Sequence, residues 1–201
     1  MSSCYEGLYS QIADALVADG YIVIQEAMIH ESLQAIALRA KTTHGYKTAG
    51  ISSASSWHVN LSRRCDSIFW LDESSSEDRL FLDFASGLQE YLNRELFLGL
   101  SYYEAHFAKY NAGDFYETHV DAFKNSKNRV VTTVLYLNED WGEEDGGELV
   151  VYNENHEYVA TVKPEANTLV VFMSEKFPHE VKPAKRERYS IAGWFRVDRA
   201  F

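Results

Sequence analysis

Thr168-Leu169-Val170-Val171-Phe172, Phe177-Pro178-His179-Glu180-Val181 and Arg188-Tyr189-Ser190-Ile191-Ala192-Gly193-Trp194-Phe195 follow one another with short connections between them. Each run is too short for a stable helix and is rich in β-branched and aromatic residues, so each reads as a strand. In the last run alternation sends Arg188, Ser190, Ala192 and Trp194 to one face, and Tyr189, Ile191 and Phe195 to the other. An arginine at the rim, small residues below it and a tryptophan at the end outline a pocket for a short dicarboxylate. The guanidinium fork matches a carboxylate with two parallel hydrogen bonds.

Working outward, the same texture extends back to Ser101, with expected strands at 102–110, 115–120, 129–137, 148–152, 157–162, 167–173, 178–181 and 188–197. Asp145-Gly146-Gly147 reads as a hairpin turn, because glycine tolerates positive φ. The acidic run Asn138 to Asp145 does not have the spacing of an EF-hand and reads as a solvated loop. Upstream the periodicity changes. Tyr5, Leu8, Ile12 and Leu16 have helical spacing, and Gly20 stops that helix. Tyr21 to Ile24 is a short strand, and His30 to Lys41 a second helix with Leu33, Ile36 and Leu38. Residues 42–57, rich in Ser, Thr and Gly, read as a mobile loop. Ser67 to Leu71 is a strand, and Ser76 to Leu96 a long helix with Leu80, Phe84, Leu88, Tyr91 and Leu92 on its stripe. Helices followed by many short strands predict an α+β chain built on a two-sheet jelly roll, with the N-terminal helices packed on one sheet's outer face. The expected organisation is one catalytic domain over 1–201, with 1–100 as helical support and substrate loop and 101–201 as the jelly-roll core.

His119 and Asp121 stand two apart on an expected strand, so both side chains project from one face. A third ligand from another strand is far off in sequence, and His179 fills that place. Two imidazoles and a carboxylate are the donor set of facial non-haem iron(II) sites, which leave three metal positions open. The same donors also suit zinc, although no His-Glu-x-x-His pattern supplies a hydrolytic base. Arg188, nine residues after His179, is placed to hold a second carboxylate.

Several longer segments carry a resemblance. They are Tyr110-Asn111-Ala112-Gly113-Asp114, His119-Val120-Asp121, Leu135-Tyr136-Leu137-Asn138-Glu139-Asp140-Trp141, Gly146-Gly147-Glu148-Leu149, Pro178-His179-Glu180-Val181-Lys182-Pro183-Ala184, Arg188-Tyr189-Ser190-Ile191 and Trp194. A weaker one lies at Arg64-Cys65-Asp66-Ser67-Ile68-Phe69-Trp70, and residues 1 to about 55 match only loosely. On these segments the chain resembles the iron(II)- and 2-oxoglutarate-dependent prolyl hydroxylases of the hypoxia-inducible-factor type, most closely their compact bacterial form. The resemblance implies a double-stranded β-helix, iron(II) rather than zinc, and 2-oxoglutarate and dioxygen as co-substrates, with ascorbate as an optional addition. It implies that 2-oxoglutarate chelates iron through its C1 carboxylate and keto oxygen, while its C5 carboxylate meets Arg188 and the hydroxyl of Tyr136. Tyr110 would lie beside the C1 end, and Trp194 would wall the pocket. Related halogenases carry a small residue in place of the carboxylate, so Asp121 points to hydroxylation.

The resemblance further implies a peptidyl proline as target, hydroxylated at C4. Elongation factor Tu is the candidate protein for the bacterial form, and a transcription factor is the target of the animal form. Arg64 and Asp66 would belong to a mobile finger over the bound peptide, with Arg129 facing them from the opposite rim. Hydroxylation of a free amino acid or other small molecule remains a second reading, and a non-catalytic jelly-roll sensing or binding module a third. Nucleic-acid demethylases of this superfamily carry a second arginine where Trp194 stands here.

The bulk numbers bound these readings. A chain of 201 residues with 46% hydrophobic and 14% aromatic content can bury a sizeable core. A net charge of −11 argues against a nucleic-acid backbone as partner. No apolar run is long enough for a membrane span. The start Met1-Ser2-Ser3-Cys4-Tyr5-Glu6 has no basic and apolar leader pattern, and Cys4 and Cys65 make no disulfide framework. The expectation is a cytoplasmic monomer. Collagen-type prolyl hydroxylases, by contrast, work in an oxidising compartment and carry lysine at the Arg188 position.

Overall fold

A computed structural model describes residues 4–53, 56–58, 63–122 and 128–197. The helices are α1 (Glu6–Ala18), α2 (His30–Thr42) and α3 (Ser76–Leu96). The strands are β1 (Tyr21–Ile24), β2 (Lys47–Thr48), β3 (Ile51–Ser53), β4 (Ser56–His58), β5 (Ser67–Trp70), β6 (Tyr102–Tyr110), β7 (Tyr116–His119), β8 (Arg129–Tyr136), β9 (Leu149–Tyr152), β10 (Tyr158–Val162), β11 (Leu169–Met173), β12 (His179–Val181) and β13 (Arg188–Arg196).

The major sheet runs β1-β11-β8-β13-β6-β5-β2 and the minor sheet β10-β9-β12-β7, with every pairing antiparallel. Between the sheets lies an apolar cluster that includes Ala108, Val134 and Phe172 from the major sheet and Leu149, Val151 and Val181 from the minor one. This is the expected double-stranded β-helix. The other face of the major sheet packs on the helices. There Leu135, Tyr189, Ile191 and Phe195 join Ile12, Leu16, Ile36, Phe84 and Leu88 in the larger core. Strand β13 thus sends Tyr189, Ile191 and Phe195 to the helix-side core and leaves Arg188, Ser190 and Trp194 on its other face, as its alternation predicts.

Local chemistry sets the helix ends and crossings. Ser75 caps α3 by accepting from the Asp78 amide, with Glu77 and Asp78 in the first turn where acidic groups favour the helix dipole. Gly20, at φ +78°, ends α1 and leads directly into β1. Gly87 lies within α3 because Tyr9 of α1 crosses there. A Cβ at Gly87 would stand 2.7 Å from the Tyr9 hydroxyl, which donates to the Phe84 carbonyl.

Some expectations need correction. Leu38 is 63% exposed, since it falls round α2 from the Leu33, Ile36, Ala37 and Ala40 face. Phe81 rather than Leu80 continues the buried stripe of α3. Within the expected loop 42–57, Lys47–Thr48 pairs with β5 at the sheet edge, and β3 pairs with β4. Residues 54–55 of that loop lie outside the described residues. Gly146 and Gly147 do adopt positive φ, but they carry the chain from β8 in one sheet to β9 in the other and make no hairpin. The acidic run exposes Glu139, Asp140, Glu143 and Glu144, as expected of a solvated loop. Its Trp141 is buried, and so is Asn138, whose amide group bonds the carbonyls of Pro164 and Tyr189 and the Tyr189 N–H. No helix among the described residues is long and apolar enough to cross a membrane.

Candidate active site

Strands β7 and β12 are neighbours in the minor sheet, and their register sets His119 opposite His179. Asp121 follows two residues beyond the end of β7. One ligand atom from each of the three lies within 4.8 Å of the others, close enough to share one ion. His119 Nε2 is 3.7 Å from Asp121 Oδ1, and His179 Nε2 is 3.6 Å from Oδ2.

Both imidazoles are oriented through their other nitrogen. His119 Nδ1 donates to the Glu117 carbonyl at 2.8 Å and His179 Nδ1 to the Phe177 carbonyl at 2.9 Å. A carbonyl only accepts, so each ring keeps its proton on Nδ1 and turns a free Nε2 lone pair toward the cluster. Burial, with His179 alongside, keeps the His119 pKa well below that of a free imidazole, so the ring is a neutral donor. Burial alone would raise the Asp121 carboxyl. The imidazoles, when protonated, and the Arg129 guanidinium oppose it and hold the group's pKa below the ordinary carboxylate range. Two imidazoles with Nε2 turned inward and one carboxylate fit a divalent ion of the non-haem iron type.

The walls are aromatic. Tyr116 stacks on His119 with ring centroids 3.6 Å apart, and the Phe172 edge meets His179 at 4.9 Å. The Trp194 indole is buried with its N–H unpartnered and directed toward Asp121. Trp194 in turn carries the Arg129 guanidinium over its ring at 3.7 Å.

Further along the same face of β13, Arg188 is 1% exposed, so it is buried inside the barrel and not at a rim. It donates to the Gly147 carbonyl at 2.9 Å, reaches Ser190 Oγ at 3.4 Å, and lies 5.0 Å from the ring centroids of both Tyr110 and Tyr136. None of the ion pairs among the described residues includes it. A buried permanent cation without an acidic partner is costly unless an anion completes it. The Tyr136 hydroxyl beside it is fully buried and has no hydrogen-bond partner. Burial pushes that hydroxyl up to about 12, so it is a protonated donor at neutral pH. A buried cation beside an orphan donor fits the carboxylate of a small acid.

The remaining expected residues are also near. Arg64 and Asp66 form a bidentate pair at 2.5 and 2.9 Å, with Asp66 fully buried. Arg64 bridges to Tyr116 in register and covers its ring at 4.7 Å, so the pair abuts the wall behind His119. It is neither a loose polar loop nor a solvent-exposed ion pair. Arg129 pairs with Glu104 at 2.9 Å, and Glu104 also holds Arg196 at 2.8 Å. Sequence reasoning missed Thr132, Ser174, Gly147, Tyr116 and His106. Of these, Thr132 was the most accessible, since it shares the face of β8 that carries Val134 and Tyr136.

The fold and these two clusters define a jelly-roll oxygenase that pairs a divalent metal with a small keto-acid co-substrate. Residues 105–196 match the family model of the 2OG-Fe(II) oxygenase superfamily. Over 85 residues, 41% of the chain, it is 39% identical to Egl nine homolog 1 of Rattus norvegicus, and the matched segment covers about 25% of that relative's length. A crystal structure of a Pseudomonas putida prolyl-4-hydroxylase is 33% identical, covering 95% of this chain and all of that one with a TM-score of 0.84. A Trichoplax adhaerens prolyl hydroxylase in complex with a hypoxia inducible factor oxygen degradation domain peptide fragment shares the fold at a TM-score of 0.84 and 24% identity, covering 96% of this chain and 91% of that one. The chain belongs to the prolyl hydroxylases of the 2OG-Fe(II) oxygenase superfamily, a family that uses iron(II), 2-oxoglutarate and dioxygen.

Proposed function

We propose that this chain hydroxylates a prolyl residue of a protein substrate at C4. The observation that carries the reading is Arg188, buried without an acidic partner among the described residues beside the orphan Tyr136 hydroxyl, in the barrel that carries His119, Asp121 and His179. Those three residues would hold iron(II). Arg188 and Tyr136 would anchor the far carboxylate of 2-oxoglutarate, with Tyr110 beside its C1 end and Trp194 walling the pocket. When bound, the iron supplies the oxidation that places one atom of dioxygen on the target carbon, coupled to breakdown of the keto acid. The protein's part is to orient these pieces and exclude water with Tyr116, Phe172 and Trp194.

Arg64, Asp66 and Arg129 are the proposed substrate side: the Arg64–Asp66 pair backs Tyr116, which stacks on His119, and Arg129 covers Trp194. The whole of 1–201 is proposed as one catalytic unit, acting as a cytoplasmic monomer, with 1–100 supporting the 101–201 barrel. The likeness along nearly the whole chain to the Pseudomonas putida prolyl-4-hydroxylase favours a bacterial type of target, and elongation factor Tu is the candidate.

Purified protein with iron(II) and 2-oxoglutarate is incubated with elongation factor Tu and a panel of proline peptides. Succinate release and mass are then followed. Succinate coupled to the gain of one oxygen on a proline is expected, and His179→Ala or Asp121→Ala should abolish both. Turnover without iron refutes the assignment. Mass gain on a free amino acid with none on any protein proline moves the reading to a small-molecule hydroxylase.

A further inference from the structure

The three metal-ligating side chains do not share one support. His119 and His179 sit on paired strands of the minor sheet, whereas Asp121 lies past the end of β7, where no ladder fixes its backbone. Its carboxylate is held from the opposite sheet. Thr132 of β8 donates from Oγ1 to Asp121 Oδ2 at 2.9 Å. Thr132 Oγ1 is also 2.8 Å from Ser174 Oγ, in the turn after β11. Thr132 is 1% exposed and Ser174 fully buried. Ser174 is itself fixed, because its amide donates to the Val130 carbonyl at 2.9 Å.

The direction of this chain follows from donor counting. An ionised carboxylate only accepts, so Thr132 gives its single proton to Asp121. The contact with Ser174 must then be Ser174 donating to Thr132. The order Ser174→Thr132→Asp121 leaves each hydroxyl proton used. It fixes Oδ2, which faces His179 at 3.6 Å, and with it the plane of the carboxylate whose Oδ1 faces His119 at 3.7 Å.

We propose that Thr132 and Ser174 are positioning residues for the metal centre. They clamp the third ligand of the minor-sheet cluster from the major sheet. Outer hydrogen bonds of this kind orient ligating carboxylates, and their loss weakens metal binding by roughly 10- to 100-fold. The inference rests on the metal reading of His119, Asp121 and His179.

The test measures metal affinity without turnover. Metal-free protein is titrated with manganese(II), with free ion followed by electron paramagnetic resonance. Cobalt(II)-loaded protein is compared by its visible ligand-field bands. Thr132→Val should weaken manganese(II) binding by about tenfold or more and shift the cobalt bands, while Thr132→Ser should stay within about twofold of the parent. Ser174→Ala should weaken binding less, and the Ser174→Ala/Thr132→Val double variant should be no worse than Thr132→Val alone, because the bonds act in series. Melting in excess chelator shows whether each variant is folded. Should Thr132→Val fail to fold, Ser174→Ala against the parent decides. Unchanged manganese(II) affinity and unchanged cobalt bands in the folded variant overturn the proposal. His179→Ala separates the two readings, since its retention of full manganese(II) affinity would mean that the cluster does not bind metal at all.

Discussion

Arg188 shows how a functional residue works against its own fold. Its guanidinium is buried with a carbonyl, a long contact to a hydroxyl and two ring faces, but none of the acidic partners that usually justify a buried charge. Arg188→Met should therefore leave the melting temperature of the co-substrate-free protein unchanged or raise it. The same change should weaken 2-oxoglutarate binding by about 2–3 kcal/mol, roughly 30- to 150-fold, through loss of a charged hydrogen-bonding partner. Arg188→Lys should recover only part, because an ammonium lacks the planar fork. Calorimetric titration of manganese(II)-loaded protein with 2-oxoglutarate measures the affinity, and a thermal melt the stability. A variant that melts far lower yet binds normally would make Arg188 a structural residue. At this scale the sequence was informative where chemistry depends on local spacing. His119 and Asp121 stand two apart on one face, and Arg188, Ser190 and Trp194 share another by alternation. Thr132, Ser174 and Gly147 were not legible, because their roles arise only when two sheets close on one another. Gly147 illustrates this: it supplies a carbonyl to Arg188, and a Cβ there would come within 3.1 Å of Arg188 Cδ.

Among the elements, the long strands and helices could be read because repetition makes periodicity visible. β6, β8, β11 and β13 lie within a residue or two of their expected bounds. β2 could not be read, since two exposed residues carry no pattern and pair only because β5 offers an edge. The Gly146-Gly147 turn was misassigned for a related reason: turn chemistry announces a reversal but not which sheet receives the next strand. The segment leading into β5 holds the largest surprise. Its Arg64–Asp66 pair is sealed between Tyr116 and the strand, with the Asp66 carbonyl accepting from the Ala49 amide. Removing one partner of a buried pair strands the other. Asp66→Ala is expected to destabilise the protein by about 3 kcal/mol, and joint replacement of Arg64 and Asp66 by apolar residues of similar size should restore much of that loss. Urea unfolding of the two variants and the parent reads both quantities. A loss below about 1 kcal/mol in Asp66→Ala would return the pair to the class of surface ion pairs.

The whole molecule couples its buried polar groups to pH. His106 of β6 is buried between Trp70, at 5.1 Å, and Trp194, at 5.4 Å, and its Nδ1 is 3.2 Å from the Phe107 carbonyl. Burial, with Arg64 and Arg129 nearby and Asp66 opposing them, pushes its pKa down to about 4 from an ordinary 6.5. Between those two values the unfolded chain binds a proton that the folded one refuses. The contribution is thus fully present above pH 6.5, falls as the pH drops toward 4, and changes no further below that. Its upper size is about 3 kcal/mol, taken from the width of the window. Unfolding midpoints in urea across this range, on metal-free protein, should decline more steeply for the parent than for His106→Gln, whose amide does not titrate in the window. His119 contributes in the same direction in the metal-free state, so the difference between the two proteins, rather than the parent's slope, isolates His106. Parallel slopes would mean that the imidazole is charged or solvated in the folded protein. A neutral ring there matches what surrounds it: the uncharged indoles of Trp70 and Trp194 flank it, and the nearby cations, Arg64 and Arg129, are matched by Asp66 and Glu104.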